Sequence, residues 1–104
     1  MHISVIVPTL NEEIPLARTL EAAGAERRGG WIVADRGSED WTRELAAGAG
    51  TRVTMSRQAP LVSGARAADG DVLLFLRAGD VLPDRARARV RRAVQGGADG
   101  GALG

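Results

Sequence analysis

The sequence predicts a three-layer α/β/α domain built on a mostly parallel sheet of about four strands. Two apolar runs, Ile3-Ser4-Val5-Ile6-Val7 and Trp31-Ile32-Val33-Ala34, each stop abruptly at polar and turn-forming residues. That pattern belongs to buried parallel strands, which deliver side chains to the carboxyl edge of a sheet. Segments with helical spacing separate the strand candidates, and such alternation argues for parallel pairing with helices on both faces.

The first strand is read at residues 3–8. From Pro15 to Ala23, Leu16, Leu20 and Ala23 recur at helical spacing, and Gly24 with Gly29-Gly30 then breaks the chain. The second strand occupies 31–35. Ser38 is placed as the cap of the next helix, with Glu39 and Asp40 in a first turn where carboxylates suit the positive end of the dipole. Leu45, Ala46 and Ala49 of that helix face inward, and Gly48 and Gly50 end it. Arg52 to Met55 forms a short edge strand, 61–68 an alanine-rich helix, and Asp71 to Leu76, after the turn Asp69-Gly70, the fourth strand. Pro83 suits the first turn of a final helix to about Gln95, with Ala86, Val90, Ala93 and Val94 as its apolar stripe. One domain over 1–95 then gives way to a flexible tail, 96–104, in which five of nine residues are glycine.

Composition narrows the function. A chain of 104 residues suits a single core. Cysteine is absent and His2 is the only histidine, which excludes disulfides, thiolate metal sites and a histidine-built zinc site. No apolar run approaches the ~18–20 residues of a membrane span, and no basic, apolar leader opens the chain. A soluble cytoplasmic protein is therefore expected. Net charge is +1, all 14 basic residues are arginine, and one phenylalanine and no tyrosine leave few platforms for stacking bases. Arg85, Arg87, Arg89, Arg91 and Arg92 read as a solvated helix face, so no nucleic-acid partner is expected. Neither Gly-x-Gly-x-x-Gly nor a Gly-x4-Gly-Lys-Ser/Thr phosphate loop is present.

Pro8-Thr9-Leu10-Asn11-Glu12 and Asp35-Arg36-Gly37-Ser38-Glu39-Asp40-Trp41-Thr42 resemble the opening of family-2 glycosyltransferases. There one strand ends in Pro-Thr-x-Asn-Glu and a second in Asp-x-Gly-Ser-x-Asp-x-Thr. The resemblance implies a Rossmann-like domain of the GT-A type and runs from Ile3 to about Pro83, the nucleotide-binding half of the family's usual domain. It implies that Pro8, Thr9, Asn11 and Glu12 line a nucleoside pocket, and that Asp35 accepts a hydrogen bond from a ribose hydroxyl or a uridine-type ring N–H. On the residues alone, Asn11 and Glu12 can equally cap the following helix, and Asp35 can bond its own turn through Gly37-Ser38. Asp40 is read as a brace for the loop. Trp41 stands where the family usually has glycine, which predicts a shifted backbone.

Ser56 to Ala65 is similar to the family at Arg57, Gly64 and Ala65, with Val62 in place of an asparagine, which weakens the pocket unless Arg57 or Arg66 supplies the lost contact. Leu74 to Pro83 matches a family segment whose usual metal-binding aspartate falls on Gly79, leaving Asp80. The resemblance implies a divalent cation, Mg or Mn, held weakly by Asp80 against the diphosphate of a nucleotide-sugar, a UDP-sugar by preference. In an extended segment residues 77 and 79 point the same way, which aims Arg77 at the place of the ion. At ~4 Å and an effective dielectric near 20 a charge pair is worth about 4 kcal/mol, repulsive toward a cation and attractive toward a diphosphate. The alternative expectation is that Arg77, with Arg57, grips the diphosphate without metal.

No residue is nominated as catalytic base. Three functions stay open: a glycosyltransferase, a catalytically silent nucleotide-binding or assembly module derived from one, and an arginine-rich interaction protein. An unpaired apolar edge on the fourth strand predicts a homodimer or a partner chain.

Overall fold

Strands that are apolar on both sides need cover on both faces, and the computed structural model puts the two apolar runs in the middle of the sheet. It describes residues 2–24 and 30–80, with Arg92 beyond them. In order these form β1 (Ile3–Thr9), α1 (Glu13–Ala23), β2 (Trp31–Asp35), α2 (Thr42–Gly48), β3 (Arg52–Met55), α3 (Pro60–Ala67) and β4 (Val72–Phe75). All the pairings are parallel and the strand order is β3-β2-β1-β4. The chain thus winds outward from β1 to β3, then returns to the other side of β1. The final helix from Pro83, the end of the domain near 95 and the tail 96–104 lie outside the described residues. Among the described residues no helix is long and apolar enough to cross a membrane.

Alternation along the strands divides the interior in two. Ile3, Val5 and Val7 of β1 and Trp31 and Val33 of β2 pack with Leu16 and Leu20 of α1 and Ala46 of α2. Ile6, Ile32 and Ala34 turn to the opposite face and meet Ala65 and Ala67 of α3. Among the described residues two helices therefore cover one face and one covers the other, the three layers expected. The α3 layer is thin because Gly64 lets the helix approach closely. A Cβ at that position would stand 2.8 Å from Ile6 Cγ2 and 3.2 Å from Ala34 Cβ. On β4, Val72 and Leu74 pack inward while Leu73 and Phe75 remain exposed. Both β3 and β4 are edge strands.

One local expectation fails. Ser38 does not cap α2, which starts four residues later with Trp41 at its N-cap. The Ser38 hydroxyl is committed to Asp35 and to the Asn11 backbone instead. Trp41 has φ −86°, an ordinary value, so tryptophan in place of glycine needs no unusual backbone.

Gly64→Val adds three carbons where even one meets Ile6, a clash that outweighs the better helix propensity of valine over glycine. We predict a loss of about 1–3 kcal/mol in urea unfolding; an unchanged midpoint would show that α3 does not lie this close to the sheet.

Candidate functional site

The organising group is the Asp35 carboxylate at the end of β2, which is completely buried. Thr9 stands opposite it in the β1–β2 register and donates its hydroxyl to Oδ1 at 2.8 Å. Ser38 donates its hydroxyl to Oδ1 at 2.5 Å and its N–H to Oδ2 at 2.7 Å, and the Gly37 N–H reaches Oδ2 at 2.9 Å. The Arg43 Nε lies 3.7 Å from Oδ2, an ion pair without a hydrogen bond. Burial raises the Asp35 pKa, but the donors from Ser38, Thr9 and Gly37 outweigh it and hold the carboxyl below its ordinary value of 3.8.

From this centre the bonds spread to the loop after β1. The Asn11 N–H donates to Ser38 Oγ at 2.8 Å, the Glu12 N–H to Thr42 Oγ1 at 3.0 Å and the Glu13 N–H to Asp40 Oδ2 at 3.4 Å. Asp40 also accepts from the Thr42 N–H at 2.9 Å and from the Thr42 hydroxyl. The hydroxyl bond of Thr42 is the largest cause of the lowered Asp40 pKa and, with the Thr42 and Glu13 N–H donors, outweighs desolvation and the Asp35 charge, which raise it. These amides open α1, whose N-cap Glu12 makes no capping bond of its own. Two donors of the helix start, the Glu12 and Glu13 N–H groups, are thus satisfied by the other loop. Asn11, at φ 50°, returns the link through Oδ1, which accepts the Glu39 N–H at 2.7 Å. Neither Asn11 nor Glu12 caps α1 with its side chain, contrary to that alternative in the sequence. Both loops form one braced unit, with Asp40 as a brace as expected.

Around this unit lies a cleft of about 290 Å³, lined by Pro8, Thr9, Leu10, Glu12, Arg36, Arg77 and Ala78. Its walls come from the carboxyl ends of β1, β2 and β4. Of the site residues read from sequence, Pro8, Thr9, Glu12 and Arg77 meet here. Asp35 does not line the cleft: it is buried behind the wall, and both its oxygens accept protein donors. Asn11 braces the loops. Arg57 lies across Gly37, where a Cβ would stand 3.1 Å from its Nε, and does not line the cleft. Val62 is an exposed α3 residue outside the cleft.

The segment after β4 departs from the extended form assumed for it. The Asp80 N–H donates to the Arg77 carbonyl at 3.0 Å, closing a turn, and Asp80 Oδ2 accepts the Arg77 N–H at 3.1 Å. Thr19 of α1 secures this turn, accepting the Gly79 N–H at 2.8 Å and donating to the Asp80 carbonyl at 2.7 Å. Gly79 has φ +102°, so the position matching the family's metal aspartate carries a backbone suited to glycine. Among the described residues no group of three ligating side chains exists. Asp80 is the one carboxylate of the turn, it is engaged by a backbone amide, and two arginines line the adjacent cleft. This donor set does not fit a protein-held divalent cation.

Three larger hollows exist among the described residues, one of them a space of about 330 Å³ beside Leu20 and Ala49. Another, of about 450 Å³, opens at the amino ends of the strands, by His2, Trp31, Thr51, Arg52 and Asp69, and an apolar groove of about 620 Å³ runs between α1 and α2. The smaller cleft is the better candidate site because it lies where the strand order reverses, between β1 and β4. Ligands of doubly wound sheets bind outside the carboxyl ends of strands at such a point.

The sequence profile described as Glycosyl transferase family 2 matches residues 4–101. The chain belongs to this family. No curated protein matches it in sequence. Among solved structures it is similar to glucosyl-3-phosphoglycerate synthase from Mycobacterium tuberculosis in complex with uridine diphosphate, at 28% identity and a TM-score of 0.69. That match covers 89% of this chain and 38% of the synthase. A second structure of the synthase, with Mn2+, UDP-glucose and glycerol 3-phosphate, matches at 26% identity and a TM-score of 0.68, covering 90% of this chain and 39% of that one. The family member described here therefore spans under two fifths of the length of these relatives, with their GT-A fold.

Arg36 was missed as a site residue. Its signal was available: beyond a buried Asp35, the next residue of a strand turns to the other side.

Folding favours the ionised forms of Asp35 and Asp40, since both titrate below 3.8 when folded. The stability they confer is complete above that value and is lost as pH falls through the folded values. Asp35→Asn should cost about 1–3 kcal/mol at pH 7, because it confronts fixed donors with an amide, and should flatten the decline in stability below about pH 4. Urea unfolding across pH 2.5–7 checks both, and an unaltered profile would contradict the assignment.

Proposed function

We propose that this chain provides the donor-binding part of a family-2 glycosyltransferase and binds the nucleotide-diphospho part of a UDP-sugar in the cleft between the ends of β1, β2 and β4. The observation that carries the reading is the position of that cleft at the reversal of strand order, with charged side chains projecting into it from three strand ends. The UDP and UDP-glucose complexes of the synthase support the choice of uridine.

Within the cleft Glu12 takes the ribose. Its Oε1 accepts the Leu10 N–H at 3.0 Å, which fixes the carboxylate and leaves the second oxygen for a sugar hydroxyl. This is the task the sequence reading gave to Asp35. Thr9 and Pro8 form the floor, with the Thr9 hydroxyl held away by Asp35. In the transfer itself an acceptor hydroxyl oxygen bonds to the anomeric carbon while the bond from that carbon to the diphosphate oxygen breaks, and UDP leaves with the electron pair. The acceptor and the base that takes its proton are not assigned to residues of this chain. A cytoplasmic location fits a cysteine-free sequence. Pairing with another chain along β4 suits its exposed Leu73 and Phe75.

Isothermal titration with UDP, 2′-deoxy-UDP and GDP tests the reading. UDP should bind more tightly than GDP, and Glu12→Ala should weaken UDP roughly tenfold while narrowing the gap between UDP and the deoxy analogue. Equal binding of UDP and GDP, or a Glu12→Ala variant that binds UDP normally, would contradict it.

A further inference from the structure

Two guanidinium groups reach the cleft from separate strand ends. Arg36 follows β2 directly and its N–H donates to the Thr9 carbonyl at 2.9 Å, so its backbone is fixed to β1. Arg77 follows β4, where the preceding Leu76 N–H donates to the Ile6 carbonyl at 2.9 Å and its own N–H is held by Asp80. Each backbone is thus anchored to a neighbouring element while each side chain is exposed. Neither guanidinium has a hydrogen-bond or ion-pair partner among the described residues. Between them lie Pro8, Thr9 and Leu10, the end of the central strand.

Unpaired arginines on fixed backbones at opposite sides of a small cleft are suited to an anion with several oxygens, since a guanidinium forks two N–H donors toward phosphate. The one carboxylate lining the cleft, Glu12, leaves an excess of positive charge there. The same lining opposes a divalent cation, and the turn that would present the metal aspartate carries Gly79 at φ +102° instead. We propose that Arg36 and Arg77 replace the cation in this chain and hold the diphosphate of the nucleotide sugar between them, so that binding needs no metal. The proposal rests on the reading that the cleft takes a nucleotide diphosphate, and it gives the leaving UDP its charge stabilisation from side chains. Arg57, the second arginine expected from sequence, lies over Gly37 and does not line the cleft, so it is left out of the clamp.

The test is isothermal titration of the full chain with UDP and with uridine, in EDTA and in millimolar Mn2+, using the wild type, Arg36→Gln, Arg77→Gln and the double variant. Circular dichroism verifies folding of each, which these exposed positions should leave intact. UDP should bind in EDTA with an affinity that Mn2+ alters less than about twofold. Each single variant should lose roughly tenfold toward UDP and nothing toward uridine, and the double variant should bind UDP no better than uridine. UDP binding that requires Mn2+, UDP no tighter than uridine in EDTA, or variants equal to the wild type would overturn the clamp and leave the nucleotide reading standing. Failure of both UDP and uridine to bind under every condition would overturn the nucleotide reading, and the clamp with it.

Discussion

A single buried carboxylate holds the carboxyl edge of this sheet in shape. Removing Asp35 from water would ordinarily favour its neutral form, yet four donors from Thr9, Gly37 and Ser38 keep it ionised. Those donors come from β1 and from the loop after β2, so satisfying one charge joins two strand ends. Ser38 then passes the constraint on, because the hydroxyl that donates to Asp35 also accepts the Asn11 N–H. Thr42 repeats the arrangement between Asp40 and the Glu12 N–H. The start of α1 is capped from outside, and the loop carrying Leu10 and Glu12 is fixed against the loop carrying Arg36.

A division of labour follows from strand geometry. Asp35 is turned inward and spends its charge on the fold, whereas Arg36, one residue later, is exposed and has no side-chain partner among the described residues. The same holds across β1, where the Thr9 hydroxyl serves Asp35 while Pro8 and Leu10 line the cleft. On β4 the hydroxyl of Thr19 shapes the turn at Gly79 and Asp80 so that Arg77 flanks the cleft. Charged groups that face solvent here are thus held by backbone bonds, and the side chains that would bind a ligand need not break a protein contact first.

Much of the fold was legible because β1 and β2 are covered on both faces and had to be apolar throughout. The edge strand β3 and the alanine-rich α3 were also readable, the latter from small residues that let a helix approach the sheet. The start of α2 was not. Ser38 has the composition of a cap, and only the three-dimensional neighbourhood of Asp35 and Asn11 reveals that its hydroxyl is already used. The hydrogen bonds by which Asn11 and Asp35 brace the loops were not legible either, since a pattern of residues does not show which protein donors and acceptors it will meet. The turn at Gly79 defeated an argument from extended geometry, because the chain leaves the strand at Phe75. Val62, in place of asparagine, stands exposed on α3 and is not among the residues that line the cleft.

The central claim is that the braced carboxyl edge, and none of the larger hollows, receives a nucleotide. Amide chemical shifts of the ¹⁵N-labelled chain during a UDP titration test it most directly. The account requires the largest perturbations at Thr9 to Glu12, Arg36, Arg77 and Ala78. Perturbations concentrated instead at Trp31, Thr51 and Arg52, or at Ala17, Glu44 and Leu45 between the two helices, would contradict it.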